Sequence, residues 1–292
     1  MFTASSEARD RATRIKRVLL GLLVANLAVV GAKFVIGLSS GSLALLGDGV
    51  HSAVDAMNNV LALAVTHIAA RAPDEDHPYG HRKFETLGAL AIVVFLSISG
   101  FELVKGAVQR LTIGAPALTL SRAELAVLVG TLAVNAVVAG YETRQGRRLA
   151  SPLLLADASH TRADVFITVG VLTGLLFTQA GYTFVDPIVA LLVAGVIVVL
   201  AYQIVRRSVP VLVDEHAYPA KVIRVSAEAV TGVVRAYHIR SRGAVDDAFA
   251  ELTIAVDGTA SVEVAHEIAD AVEDRLRTEL RFTDVVVHVE PC

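Results

Sequence analysis

Long apolar runs recur through the first two thirds of the chain and restrict what it can fold into. They occupy residues 18–38, 43–70, 84–111, 122–143, 152–180 and 186–205. A helix needs about 20 predominantly apolar residues to cross the hydrocarbon core of a bilayer, and each run provides that length. With 54% hydrophobic residues, the chain is also more apolar than ordinary soluble domains. The sequence therefore predicts six transmembrane helices.

Composition divides the chain into three parts. Residues 1–17 are polar and basic, and we expect a cytoplasmic N-terminal segment that leads into a retained span, not a cleaved signal peptide. Residues 18–207 form the six-helix transmembrane domain, and residues 208–292 have the polar, alternating pattern of a small cytoplasmic α+β domain. Within that domain we expect a helix at 219–229, strands at 233–241 and 248–256, a helix at 261–280 and a strand at 284–289.

Lysine and arginine are concentrated on one set of the loops between the runs. That set carries Arg9, Arg11, Arg14, Lys16, Arg17, Arg71, Arg82, Lys83, Arg144, Arg147, Arg148, Arg206 and Arg207. The opposite set carries only Arg110 and Arg122, with Lys105 nearby. Because basic loops stay on the cytoplasmic side, we expect a multi-pass protein of the cell (inner) membrane with both termini in the cytoplasm.

Several functional classes are disfavoured. The net charge of −3 gives no reason to expect nucleic acid as a partner, and Cys292 is the only cysteine, so no internal disulfide or cysteine-rich metal centre can form. No G-x-x-x-x-G-K-[ST] loop for ATP is present. The pair His266-Glu267 begins H-E-x-x-H, but Asp270 replaces the second histidine of that zinc-protease motif. We therefore do not expect an enzyme.

Two of the apolar runs contain the same polar motif, D-x-x-H-x-x-x-D. Its members are Asp48, His51 and Asp55 in the first motif and Asp157, His160 and Asp164 in the second. A histidine and an aspartate four residues apart lie on one helix face, and ionisable residues at membrane depth face a partner or a cavity. One motif alone is equally typical of a His–Asp hydrogen bond between helices. Two motifs in different spans predict a divalent metal site that suits tetrahedral Zn²⁺, with other first-row ions left open.

A polar loop after the second run offers a second group of metal ligands. Asp74, His77 and His81 bring one carboxylate and two imidazoles within eight residues. Two prolines and a glycine in the same loop make it turn, which brings these side chains toward one another. The alternative is an ordinary solvated loop.

Taken together and in order, these motifs resemble those of the cation diffusion facilitator family, over nearly the whole chain from about Lys16. The matching segments are residues 41–55 (G-S-x-A-L-L-x-D-x-x-H-S-x-x-D), 74–85 (D-x-x-H-P-Y-G-H-x-K-x-E), 157–164 (D-A-S-H-x-R-x-D) and 285–291 (V-V-V-H-V-E-P). The resemblance implies a homodimer of six-helix membrane α-helical domains, each followed by a cytoplasmic α+β domain of ferredoxin-like or metallochaperone-like type.

The resemblance also implies site residues. The transport site falls on His51, Asp55, His160 and Asp164, and the loop site falls on Asp74, His77 and His81. A further metal site in the C-terminal domain matches His238, His266, His288 and Glu290. Thr253 stands where some zinc exporters have histidine, and Glu290 where aspartate is common. Lys83 and Asp214 match a charge pair that links two protomers.

The function that the resemblance implies is a proton-coupled antiporter that exports Zn²⁺ from the cytoplasm across the lipid bilayer. Neutral His51 and His160 bind the ion, and their protonation releases it. Zn²⁺ is then the transported ion and, in the loop and C-terminal sites, a structural or regulatory one. Two alternatives stay open: export of Mn²⁺, Fe²⁺, Co²⁺ or Cd²⁺, and a membrane metal sensor without transport.

Overall fold

The computed structural model describes residues 5–40, 43–113, 122–180, 182, 184–244 and 247–292, and the chain forms two compact units, Met1–Ser208 and Val209–Cys292. Six long helices come first. They are α1 (Ser5–Ser40), α2 (Leu43–Ala69), α3 (Lys83–Ile113), α4 (Arg122–Arg148), α5 (Pro152–Gln179) and α6 (Val185–Leu212). The expected membrane α-helical fold class is therefore confirmed.

Within the described residues, five of these helices, α1, α3, α4, α5 and α6, are long and apolar enough to cross a membrane. Helix α2 is as long, with 27 residues, or about 40 Å at 1.5 Å per residue. It carries polar residues along its middle, including Asp55, Asn58 and Asn59, which make it less apolar than its neighbours. Membrane insertion of α2 as a sixth span stays a prediction.

Helix α1 begins earlier than the apolar pattern indicates. The polar segment that we expected to lead into the first span is helical from Ser5 onward. Residues 5–17 contain no glycine or proline and include several strong helix formers, so nothing in the segment stops the helix. Within it Ile15 is fully buried and Ala12 is nearly so, which shows that the core of the first unit extends beyond the apolar run.

All six helices contribute to one apolar core. Its buried members include Ile15 and Leu19 of α1, Ile92 and Leu96 of α3, and Ile197 of α6. Many large apolar side chains, including several of α6, are exposed on the outside of this unit, as expected for helices that contact lipid. Helices α4 and α5 meet at a tight corner, where Ser151 caps α5 by accepting from Leu154 N at 3.2 Å and Pro152 takes the first helical position.

An ion pair joins α3 to α6 at the opposite end of α5 from this corner. Arg110 Nη1 donates to Asp186 Oδ2 at 2.6 Å, and Asp186 is buried. Gly174 of α5 makes room for it, because a Cβ atom there would meet Asp186 Oδ1 and lie 3.0 Å from Asp186 Cγ.

We therefore expect Gly174→Ala to lower the stability of the membrane unit by about 1–3 kcal/mol, the usual cost of an overpacked site. The thermal unfolding midpoint in detergent measures this. Gly195→Ala is the matched control, since a Cβ atom at Gly195 of α6 would have no neighbour within 4 Å. Equal midpoints for the two variants would show that Asp186 simply moves away.

The second unit is a small α+β layer structure. Its elements are α7 (Ala220–Glu228), β1 (Arg235–Ala244), β2 (Asp247–Val256), α8 (Val262–Leu280) and β3 (Phe282–Pro291). The sheet order is β1-β2-β3, with β1 antiparallel and β3 parallel to β2. The helices cover one face of it, where Ile223, Val272 and Leu276 pack with Ile254 in the core. The expected order of elements is confirmed.

Candidate metal centre

The structure brings Asp55 of α2 together with His160 and Asp164 of α5. His160 Nε2 lies 3.3 Å from Asp55 Oδ1 and 3.9 Å from Asp164 Oδ2. The ligand atoms of these three residues all lie within 4.8 Å of one another, and we call them the membrane cluster. Atoms bound at about 2.0–2.2 Å to a tetrahedral Zn²⁺ lie about 3.4 Å apart, so small side-chain shifts would let the cluster hold such an ion.

A polar cavity adjoins the membrane cluster. Its volume is about 30 Å³, which is room for about two water molecules. Four helices, α1, α2, α4 and α5, supply its walls. The lining residues are Asn26, Val29, Ser52, Asp55, Asn59, Thr131, Asn135, Asp157, His160, Thr161 and Asp164. Among the lining residues that the structure describes, Val29 alone is apolar, so the cavity is suited to a hydrated cation and not to an apolar ligand.

The structure does not describe the side chains of two members of the first motif. The backbone of Asp48 and His51 belongs to α2, but their side chains are not described, so the fourth expected ligand stays a prediction. A neighbour that the motifs do not contain, Asn58, is buried beside the cluster. Its Nδ2 lies 3.2 Å from His160 Nε2, the nitrogen that faces both carboxylates.

The loop site is assembled within a single turn. His77 Nδ1 lies 3.2 Å from Asp74 Oδ1, and His81 Nε2 lies 3.3 Å from Asp74 Oδ2. The two imidazole rings are 4.3 Å apart, and the ring of Phe84 packs against both. Gly80, with φ of +83°, turns the chain between the histidines, a conformation that glycine adopts most easily. His81 is buried, which the sequence pattern does not indicate.

The backbone N–H of His77, which donates to Asp74 Oδ1 at 2.8 Å, lowers the pKa of the Asp74 carboxyl, and the neighbouring imidazoles act in the same direction. Because the folded-state pKa is lowered, the stabilisation of the turn by this carboxylate is complete at neutral pH. It is lost only as the pH falls through the lowered value.

We expect Asp74→Asn to weaken metal binding at the loop site by at least about tenfold, since it removes the anionic ligand that contacts both histidines. Asp76→Asn, at an exposed position of the same loop, is the matched control and should bind as the wild type does. Calorimetric titration of the purified protein measures both. If Asp74→Asn and Asp76→Asn bind metal alike, Asp74 is not a ligand.

The C-terminal residues predicted as metal ligands are not gathered in one chain. His288 Nε2 lies 3.5 Å from Glu290 Oε1, and His266 Nε2 lies 3.8 Å from Asp270 Oδ2. Within the described ranges, neither group of three or more close ligand atoms includes His238 or any other residue of the second unit. This site stays a prediction.

The charge pair that the resemblance implies also stays a prediction. Within the second unit, the carboxylate of Asp214 lies 3.9 Å from Arg242 Nη1. Its expected partner, Lys83, is the first residue of α3 in the other unit.

Sequence reasoning missed a buried polar cluster at the corner between α4 and α5. Arg11 donates from Nη1 to Glu85 Oε2 at 3.0 Å and from Nη2 to Glu85 Oε1 at 3.3 Å. It also donates to the carbonyl oxygens of Leu149 and Ala150, at 2.7 and 2.9 Å. Ser151 Oγ donates to Glu85 Oε1. This corner cluster of Arg11, Glu85 and Ser151 fixes the start of α5, the helix that carries His160 and Asp164.

Comparison with known proteins follows the same division of the chain. The family model described as the cation efflux transmembrane domain matches residues 19–213, and the model for the cation efflux protein, cytoplasmic domain, matches residues 220–292. The chain therefore belongs to the cation diffusion facilitator family of divalent metal efflux transporters, and the recognition made from the motifs is confirmed. The family consists of transporters and not enzymes.

Three relatives illustrate the range of the family. The chain is 30% identical to the uncharacterized transporter MJ0449 of Methanocaldococcus jannaschii, over 94% of this chain and 98% of the relative. It is 31% identical to metal tolerance protein C1 of Arabidopsis thaliana, over 92% and 61% respectively. It is 26% identical to the manganese efflux system protein MneP of Bacillus subtilis, over 97% and 98%. The transmembrane domain and the apolar helices indicate an integral, multi-pass membrane protein.

Proposed function

We propose that this protein exports Zn²⁺ in exchange for protons, with the membrane cluster as the transport site. The main support for the proposal is that the ligand atoms of His160, Asp55 and Asp164 lie close together beside a polar cavity. Imidazole suits Zn²⁺ better than it suits Mn²⁺, which prefers carboxylate, carbonyl and water in octahedral geometry. His51, one turn before Asp55 on α2, is the fourth ligand in this proposal.

Binding of the ion requires only local changes. Asn58 Nδ2 now lies against His160 Nε2, so an arriving cation takes the place of that amide. The ligands must be unprotonated to bind, and protons that enter from the far side of the membrane compete with the ion and release it. The two carboxylates cancel the charge of a divalent ion, which lowers the cost of holding it at membrane depth.

Mn²⁺ is the second candidate cargo, and two observations favour it. The cavity beside the cluster is lined by carboxylate, amide and hydroxyl groups, which suit a harder ion that keeps some of its water. The relative MneP is named as a manganese efflux protein. The two cargoes therefore differ in the groups that would bind them directly. Zn²⁺ would bind imidazole and carboxylate, whereas Mn²⁺ would bind oxygen ligands alone.

The remaining proposals concern the domain boundaries, the membrane topology and the dimer. We place the transmembrane domain at residues 18–207, the soluble domain at 208–292, and both termini in the cytoplasm of the cell (inner) membrane, because basic loops flank the expected spans. The small soluble domain dimerises, with Lys83 and Asp214 linking the protomers. A domain of this size buries only a modest share of its apolar surface by itself, and pairing with a second copy buries more.

A metal panel in proteoliposomes tests the proposal. Purified protein in vesicles with an imposed pH difference is expected to move Zn²⁺ faster than Mn²⁺, Co²⁺ or Cd²⁺, and to move protons in the opposite direction. A Mn²⁺ flux faster than the Zn²⁺ flux would make Mn²⁺ the transported ion in place of Zn²⁺. A metal flux that does not depend on the pH difference would refute proton coupling. If every metal binds but none is transported, the protein is a membrane metal sensor.

A further inference from the structure

The carboxylate of Asp157 is a buried polar group that the membrane cluster does not use. The residue lines the cavity and is only 2% exposed. Among the described residues, none donates a hydrogen bond to its Oδ2 atom. A buried carboxylate oxygen without a partner is costly, and native proteins supply such atoms with a partner. Asp157 lines the cavity, so a small rotation of its carboxylate would bring Oδ2 to a cation or a water there.

The carboxylate of Asp157 is not among the ligand atoms of the membrane cluster. Within the described residues, the group whose ligand atoms lie within 4.8 Å of one another contains Asp55, His160 and Asp164 but not Asp157. On α5 it precedes His160 by three residues, about 4.5 Å along the helix axis. Asp157 therefore lies between the cluster and the end of the membrane unit where Ser151 caps α5.

The surroundings of Asp157 favour oxygen ligands. Asn59, one turn past Asp55 on α2, lines the same cavity, and its Oδ1, which accepts from Asn26 Nδ2 at 3.4 Å, is the atom that can face a cation. Thr161 lines the cavity too, and its hydroxyl donates to Glu142 Oε2 at 3.0 Å. With room for about two waters, a cation beside Asp157 keeps part of its hydration shell.

We infer that Asp157 anchors a second cation subsite, which receives a partly hydrated divalent ion before the ion passes to the membrane cluster. The inference rests on the proposed transport function, in which the ion enters from the end where α5 begins. A carboxylate with waters captures a hydrated ion quickly because few waters must leave. The later exchange of water for imidazole then takes place at His160. Asp157 thereby raises the rate of capture, and the membrane cluster sets the equilibrium affinity.

The test measures initial flux against metal concentration for full-length protein in vesicles, with Zn²⁺ and Mn²⁺ as probes. Asp157→Asn keeps the shape and removes the charge. We expect kcat/KM to fall by about tenfold or more for both metals, mainly through KM. Calorimetric titration of the same variant should still show ion binding at the membrane cluster. Asp157→Glu, which restores the charge, is expected to recover part of kcat/KM.

Glu102→Gln is the control. It neutralises a carboxylate of the same unit, but Glu102 is exposed and does not line the cavity. Its kcat/KM is expected to stay within about twofold of wild type.

Three results would overturn the inference. They are an unchanged kcat/KM in Asp157→Asn, an equal loss in Glu102→Gln, and a loss of equilibrium ion binding at the membrane cluster in Asp157→Asn. Failure of the proposed function looks different, because Asp164→Ala itself would then transport normally.

Discussion

Asp164→Ala is expected to reduce metal flux in vesicles to the level of protein-free vesicles, and Asp55→Ala is expected to do the same. Each change removes one of two carboxylates that lie within 3.9 Å of His160 Nε2. The site then lacks both a ligand and a negative charge for a divalent ion at membrane depth, where water cannot replace either cheaply. The measurement is the initial rate of Zn²⁺ flux at equal protein loading.

Glu102→Ala is the matched control for these variants. It removes a carboxylate from α3 in the same unit, but Glu102 is exposed and outside the cavity. We expect its flux to equal that of the wild type. All three variants should elute from a sizing column at the wild-type position, which separates loss of the site from loss of the fold. Wild-type flux in Asp164→Ala would refute the assignment of the transport site.

Glu85→Ala is expected to have the largest effect on stability. Its carboxylate is almost completely buried and accepts from both Arg11 and Ser151. Removal of one partner of a buried ion pair leaves the other charge uncompensated, which costs about 3–5 kcal/mol. The loss should appear as a lower thermal unfolding midpoint of the detergent-purified protein.

Two further variants sharpen this prediction. Arg11→Lys keeps the charge but loses the planar fork that reaches Glu85 and two carbonyl oxygens at once, so an intermediate loss is expected. Arg14→Ala removes an exposed arginine one turn along α1 and should change little. If Arg14→Ala and Glu85→Ala lower the midpoint equally, the corner cluster contributes nothing beyond general surface charge.

Periodic and local features of this molecule could be predicted from the sequence. The apolar runs gave the six helices because helix length must match the thickness of the bilayer. The i,i+4 spacing placed His160 and Asp164 on one face of α5, and the turn residues of the loop brought Asp74 near His77. Each of these depends on residues close together in the chain.

Features that depend on distant contacts could not be predicted. Arg11 finds its carbonyl partners 138 and 139 residues away, and no local pattern indicates such a pairing. The participation of α1 and α4 in the cavity follows from how four helices pack, and Asn26 and Asn135 look like ordinary interhelical polar residues in the sequence. The helical state of residues 5–17 agrees with their local helix propensity, whereas the apolar run alone indicates a later helix start.

The most direct test of the central claim is anomalous diffraction at the zinc absorption edge from crystals of the Zn²⁺-loaded full-length protein. The account predicts an anomalous peak about 2.0–2.2 Å from His160 Nε2 and from one carboxylate oxygen each of Asp55 and Asp164. Asp164→Ala crystals should lack that peak while keeping the one at the loop site. Zinc bound elsewhere, with no peak beside His160 at concentrations that saturate transport, would contradict the account.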